Sequence, residues 1–139
     1  MYGVSSMTSA LRRVALSKPG VALLEAQAET WNYGPTFDRD KVLPQHNAFS
    51  DLLVSYDIDI LWMDQDNPSI ADAVFTYDAS LMTPAGAILM NPGKVLRQGE
   101  QALHKAFYDS VNIPVIGEIN GHARAEAGDT LWLDSNTLA

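Results

Sequence analysis

Four carboxylates and one guanidinium stand where they could meet a cationic ligand. The stretch Asp72-Ala73-Val74-Phe75-Thr76-Tyr77-Asp78 sets two carboxylates around a short apolar run, with Phe75 between them. A second acidic stretch, Glu126-Ala127-Gly128-Asp129, borders a later apolar run, and Arg97 falls between the two. Carboxylates recognise a guanidinium through its planar fork of N–H donors, and an arginine can hold a ligand's carboxylate in turn. Asp72, Asp78, Glu126 and Asp129 with Arg97 would suit a zwitterion such as an arginine derivative. The same residues also read as loop caps and solvated turns, because acidic side chains are common at strand ends. Spacing alone leaves both readings open.

Other chemistries have less support. Cysteine is absent, which removes disulfides, thiolate metal sites and cysteine nucleophiles. His46, His104 and His122 are the only histidines. None pairs with another at i, i+4, so neither a metal site nor a cofactor is expected. His46 reads as half-buried on a helix, His104 as solvated between Leu103 and Lys105, and His122 as a loop residue within reach of the acidic site. The glycines at 86, 93, 99, 117, 121 and 128 show no phosphate-binding spacing. The serines lack a nucleophile-elbow context. Trp31, Trp62 and Trp132 read as core or loop anchors.

The formal charge is -8. Binding nucleic acid needs clustered Lys and Arg to neutralise phosphates, so it is not an expected partner. No window approaches the roughly 20 apolar residues that span a bilayer. The first residues show no charged and apolar leader pattern. A cytoplasmic protein without a membrane partner is therefore expected.

The chain of 139 residues is long enough for one domain with a core, and its elements must position those side chains. Leu11 to Ser17 reads as a strand closed by the turn Lys18-Pro19-Gly20. Residues 21–28 read as a short helix, and Asn32-Tyr33-Gly34-Pro35 as a loop. Asp38 or Asp40 would cap a helix running to about Tyr56. Its apolar stripe would be Val42, His46, Phe49, Leu52, Leu53 and Tyr56, with Pro44 in the first turn, where it costs little. Ile58 to Met63 reads as a buried strand, 64–69 as a polar loop and 73–76 as a brief buried strand. Ser80-Leu81-Met82 and Ala87 to Met90 read as a hairpin around Thr83-Pro84-Ala85-Gly86. A helix from about Arg97 to Ser110 would pack through Leu103, Ala106 and Phe107. Ile113 to Ile116 reads as a strand whose proline points to an edge or a bulge. Thr130 to Leu133 and the residues from Thr137 read as two more strands. Strand–helix–strand thus occurs twice, as in an array of similar modules.

Taken in order, three motifs resemble the guanidine-modifying superfamily of amidinotransferases, dimethylarginine dimethylaminohydrolases and arginine deiminases. They are Asp72 to Asp78, Arg97 with Glu100, and Glu126 to Asp129. That family carries a stretch close to D-S-V-F-x-x-D, then R-x-x-E, then E-G-G-D before a strand. The segment from Ser6 to Pro19 also resembles its first strand. The resemblance implies an α/β fold, a partial five-bladed α/β propeller of pentein-like ββαβ modules. Modules would cover about 8–66 and 67–118, with a third, 119–139, cut short.

It also implies roles. Asp78 would bind a guanidine, and Glu126 would orient the family's catalytic histidine and help activate the guanidinium carbon. Asp72 would contact the substrate's amino-acid end and Arg97 its carboxylate. Phe75 would line the pocket, with Asp129 among the binding residues. Three departures stand out. Tyr77 replaces the Glu usual in dimethylarginine hydrolases, Ala127 replaces the first Gly of E-G-G-D, and neither the family's cysteine nor its histidine is present. The expectation is an N-terminal fragment of an enzyme acting on the guanidinium carbon of arginine or a substituted arginine through a covalent cysteine, inactive by itself. Its partner would be a small guanidino substrate. Open strand edges would favour self-association or a homo-oligomer. The alternatives are a non-catalytic arginine-like ligand-binding or assembly module, and a plain structural α/β domain.

Overall fold

The computed structural model describes residues 3–63 and 69–139. The polar loop expected at 64–69 lies, but for Ser69, outside the described residues. Two compact units are present. One is Leu11–Phe75, and the other is residues 3–10 with Thr76–Ala139.

In the Leu11–Phe75 unit, β1 (Arg13–Ser17) and β2 (Asp59–Met63) are parallel, with Val14 opposite Ile60 and Leu16 opposite Trp62. Parallel neighbours cannot be joined by a tight turn. Their long connection holds α1 (Val21–Leu24), α2 (Ala28–Trp31) and α3 (Arg39–Ser55). The helix expected over 21–28 is replaced by two single turns, separated by the extended Gln27. Leu23, Ala26 and Ala71 form the core, with Trp31, Tyr33, Phe37, Val42 and Val74 packed against it.

Asp38 is the cap of α3, its Oδ1 accepting the Asp40 N–H at 3.1 Å. Pro44 is not in the first turn as expected. It lies inside the helix, in the second turn, where the ring forfeits the bond to the Asp40 carbonyl. The expected stripe is largely in solvent, with Phe49, Leu52 and Tyr56 49%, 53% and 73% exposed. Only Ser50 of α3 is buried, and Val42, His46 and Leu53 are half-buried. The face turned inward is thus a narrow flank of the apolar stripe. β2 is likewise not a buried strand, because only Met63 of its residues is buried. The strand expected at 73–76 is a 3-10 turn over Ala71–Val74, closed by the Phe75 N–H on the Asp72 carbonyl at 2.9 Å. A short apolar run has the same composition in either conformation.

In the other unit, β3 (Ser80–Thr83) and β4 (Gly86–Leu89) form the expected antiparallel hairpin, Ser80 opposite Leu89. Gly86 has φ +145°, and an added Cβ would run into the Pro114 carbonyl oxygen, so this position needs glycine. β5 (Val115–Glu118) joins β4 in parallel as an edge strand. The strand expected at 113–116 therefore lies two residues later; Pro114 stands just before it, its carbonyl still accepting the Ala87 N–H at 2.9 Å, and at an edge its missing N–H costs little. The crossover from β4 to β5 carries a 3-10 turn at Val95–Arg97 and α4 (Glu100–Ser110). The expected helix start at Arg97 is displaced because Gly99 is left-handed, with φ 105°. β6 (Trp132–Asp134) and β7 (Thr137–Leu138) form a second hairpin. Its turn is braced by the Asn136 N–H on Asp134 Oδ1 at 2.8 Å.

The inward face of α4 is the expected one only at Phe107. Glu100, His104, Phe107 and Tyr108 are buried, whereas Ala106 is exposed and Leu103 is half-buried. His104 is 2% exposed, so its expected solvation is corrected. A polar face at helical spacing is buried where each group meets a partner.

Candidate functional site

The side chains of Asp78, Arg97, Glu100 and Glu126 converge in the unit that holds β3, β4 and α4. Asp78 lies in the turn before β3. Its carbonyl accepts the Ala127 N–H at 3.0 Å, which ties that turn to the Glu126–Asp129 stretch. Paired backbone bonds between Asn91 and Ala125, both 3.1 Å, hold the same stretch beside the loop after β4. Gln101 on α4 secures that loop by donating to the carbonyls of Met90 at 3.1 Å and Ile119 at 2.9 Å.

Arg97 sits at the centre and is 5% exposed. Its Nε donates to Glu100 Oε1 at 2.8 Å and its Nη2 to Glu100 Oε2 at 2.7 Å, a bidentate pair. Its Nη1 donates to Asp78 Oδ2 at 2.7 Å, and Glu126 Oε2 lies 3.8 Å from the same nitrogen. Burial works against the Arg97 charge, but the hydrogen bonds and fields of Glu100 and Asp78 outweigh it and push the guanidinium pKa further up. Glu126 is fixed from its other oxygen, where Oε1 accepts the Gly93 N–H at 2.9 Å. Glu100 is 1% exposed, whereas the side chains of Asp78 and Glu126 keep 26% and 29% of their surface open. The cluster therefore presents two partly open carboxylates on a buried ion pair. The planar guanidinium among them is that of Arg97 itself.

The remaining expected residues fall elsewhere. Asp129 is exposed at the end of the 3-10 turn Ala127–Asp129, its N–H on the Glu126 carbonyl at 3.1 Å. Asp72 and Phe75 belong to the Leu11–Phe75 unit. There Asp72 is 4% exposed, and Tyr33 Oη donates to its Oδ1 at 2.6 Å. Phe75 is 51% exposed. His122 is an exposed residue of the turn after β5. Ala127, the departure from E-G-G-D, is fully buried against Leu81 and Met90, so its methyl group fills core space. Glu100 was legible only as part of R-x-x-E, and His104, Ser80 and Tyr108 carried no sequence signal of burial.

Gly128 approaches Asp78 most closely, since an added Cβ would stand 2.5 Å from Asp78 Oδ1. Gly128→Ala is expected to turn the Asp78 carboxylate away from Arg97 and to cost about 1 kcal/mol of stability. The Arg97 Nη1 proton resonance, the one that faces Asp78, should shift in the variant. An unchanged resonance would show that the carboxylate does not depend on this glycine.

No protein-family model matches the chain. Over 96 residues it is 32% identical to the dimethylarginine dimethylaminohydrolase of Pseudomonas aeruginosa, covering 69% of this chain and 37% of that protein. The chain belongs to the guanidine-modifying superfamily. A crystal structure of a dimethylarginine dimethylaminohydrolase adduct with 4-chloro-2-hydroxymethylpyridine superposes with TM-score 0.69 at 27% identity, over 88% of this chain and 46% of that one. The N-terminal domain of ArgZ, an arginine dihydrolase from cyanobacteria, shares the fold with TM-score 0.71 at 20% identity, over 86% and 44% of the two chains. The chain thus spans less than half the length of these superfamily members. Among the described residues, no helix is long and apolar enough to cross a membrane.

Proposed function

We propose that this chain is the N-terminal part of an enzyme that acts on the guanidinium carbon of arginine or a substituted arginine, as a hydrolase or an amidinotransferase. The observation that carries this reading is the pair of partly open carboxylates, Asp78 and Glu126, set around a buried guanidinium. In this reading Asp78 holds the ligand's guanidine. Glu126, oriented by the Gly93 N–H, is the acidic partner of a histidine outside this sequence. Arg97 spends three donors on Glu100 and Asp78, which favours a positioning part over the direct grip on a ligand carboxylate that the family comparison implied. Covalent attack on the guanidinium carbon needs a thiolate, and this chain has no cysteine, so turnover requires one from outside it. The two strand–helix–strand units would be the first blades of a five-bladed propeller, in modules of about 8–66 and 67–118. β6 and β7 would open the next. The substrate would be a small guanidino compound in the cytoplasm.

A second reading, a non-catalytic arginine-binding module, is favoured by the missing cysteine alone. Titration of the chain with L-arginine tests the site itself. Amide signals around Asp78 and Glu126 should shift, and Asp78→Asn should abolish the response, with no citrulline formed. Silence at millimolar arginine would sink both readings. Citrulline formation by the isolated chain would rule out the second and contradict the need for an outside thiolate.

A further inference from the structure

A buried polar network lies behind the carboxylate cluster. Ser80 Oγ on β3 is 2.8 Å from His104 Nδ1 and 2.6 Å from Tyr108 Oη, both on α4. Ser80, His104 and Tyr108 are 5%, 2% and 5% exposed. Glu100, His104 and Tyr108 follow one another at i, i+4 and i+8, so a single face of α4 carries both the clamp on Arg97 and this network.

We propose that the Ser80–His104–Tyr108 network is an acid-sensitive latch. With His104 neutral it seats α4 on β3 and keeps Glu100 on Arg97; with His104 protonated it lets that grip go. The inference goes beyond the proposed activity and does not require any ligand to bind. Of the elements around His104, β4 brings no titratable side chain, β3 brings Ser80, the turn at Val95–Arg97 brings Arg97, and α4 itself brings Glu100 and Tyr108. In its cationic form the ring donates from both nitrogens. Ser80 must then accept from His104 and send its own proton to Tyr108, and a second cation enters beside Arg97. Burial, and after it the Arg97 charge, hold the His104 pKa down to about 4. Burial also raises that of Tyr108, against the opposing bond from Ser80, so the network is neutral at pH 7.

Side-chain NMR of the whole chain tests the latch. His104 should stay neutral through the ordinary histidine range and protonate only below it. The Arg97 Nε–H signal should then vanish over the same pH interval in which His104 finally protonates. Ser80→Ala should move both transitions together and by the same amount. Tyr108→Phe, which keeps the ring, provides the same comparison should Ser80→Ala fail to fold. Protonation of His104 with the Arg97 signal intact would overturn the proposal. Titration of His104 at the ordinary histidine value would overturn it too, as would separate movement of the two transitions in either variant.

Discussion

Arg97→Ala is expected to destabilise the chain by about 3–5 kcal/mol, the range typical when one partner of a buried ion pair is removed. The cost comes from what is left behind more than from what is lost. Glu100 is 1% exposed and gives both oxygens to Arg97. Without the guanidinium, its buried charge loses both of those short bonds. Asp78 has more solvent around it and would adapt. Arg97→Lys should recover only part of the loss, because an ammonium cannot span two carboxylate oxygens as the fork does. Replacing Arg97 and Glu100 together by apolar residues of similar size should cost far less than Arg97→Ala. Urea unfolding measures this as a fall in midpoint at constant slope. A loss under about 1 kcal/mol, the scale of an exposed pair, would show that the cluster is solvated and would remove the physical basis of the site.

Acid is expected to weaken the fold well before the ordinary carboxylate range. His104 titrates at about 4 in the folded chain against the usual 6.5. Between those values the unfolded chain binds a proton that the folded chain refuses, so stability falls as pH falls. The stability that depends on a neutral His104 is fully present above about 6.5 and is gone near 4. At 1.36 kcal/mol per unit the difference is about 3 kcal/mol. Urea midpoints at several pH values across this interval check it, with His104→Asn as the comparison. The variant should flatten most of the slope. A slope of equal size in the variant would assign the acid sensitivity to other groups.

Much of the backbone plan was readable from residue order. Thr83-Pro84-Ala85-Gly86 between two apolar runs marks the β3–β4 hairpin, and Asp38 marks the start of α3. Pro114 points to an edge strand, and β5 is one. Less readable was everything decided by partners distant in sequence. The run Ala73–Thr76 could pair in a sheet or close a 3-10 turn, and only the surrounding packing decides. His104 looks solvated beside Lys105 until Ser80, 24 residues away, is brought within hydrogen-bond distance. Arg97 next to acidic stretches pointed to ligand recognition. Its bidentate bond to Glu100, three residues on, was written in the R-x-x-E spacing, but its burial was not. The acidic site was therefore legible as a set of carboxylates. Which of them face outward was legible only after folding.

The exposure of α3 also bears on how the molecule breathes. This is the longest helix in the described chain, yet it buries a single residue and lacks one internal bond at Pro44. Little apolar contact and a solvated backbone are the marks of a segment that opens at low free energy. α4 is shorter, but it is pinned by Glu100, His104, Phe107 and Tyr108. α3 is therefore expected to open before the scaffold of the carboxylate cluster, so that limited proteolysis should cut first in α3 and leave Asp78, Arg97 and Glu126 in place.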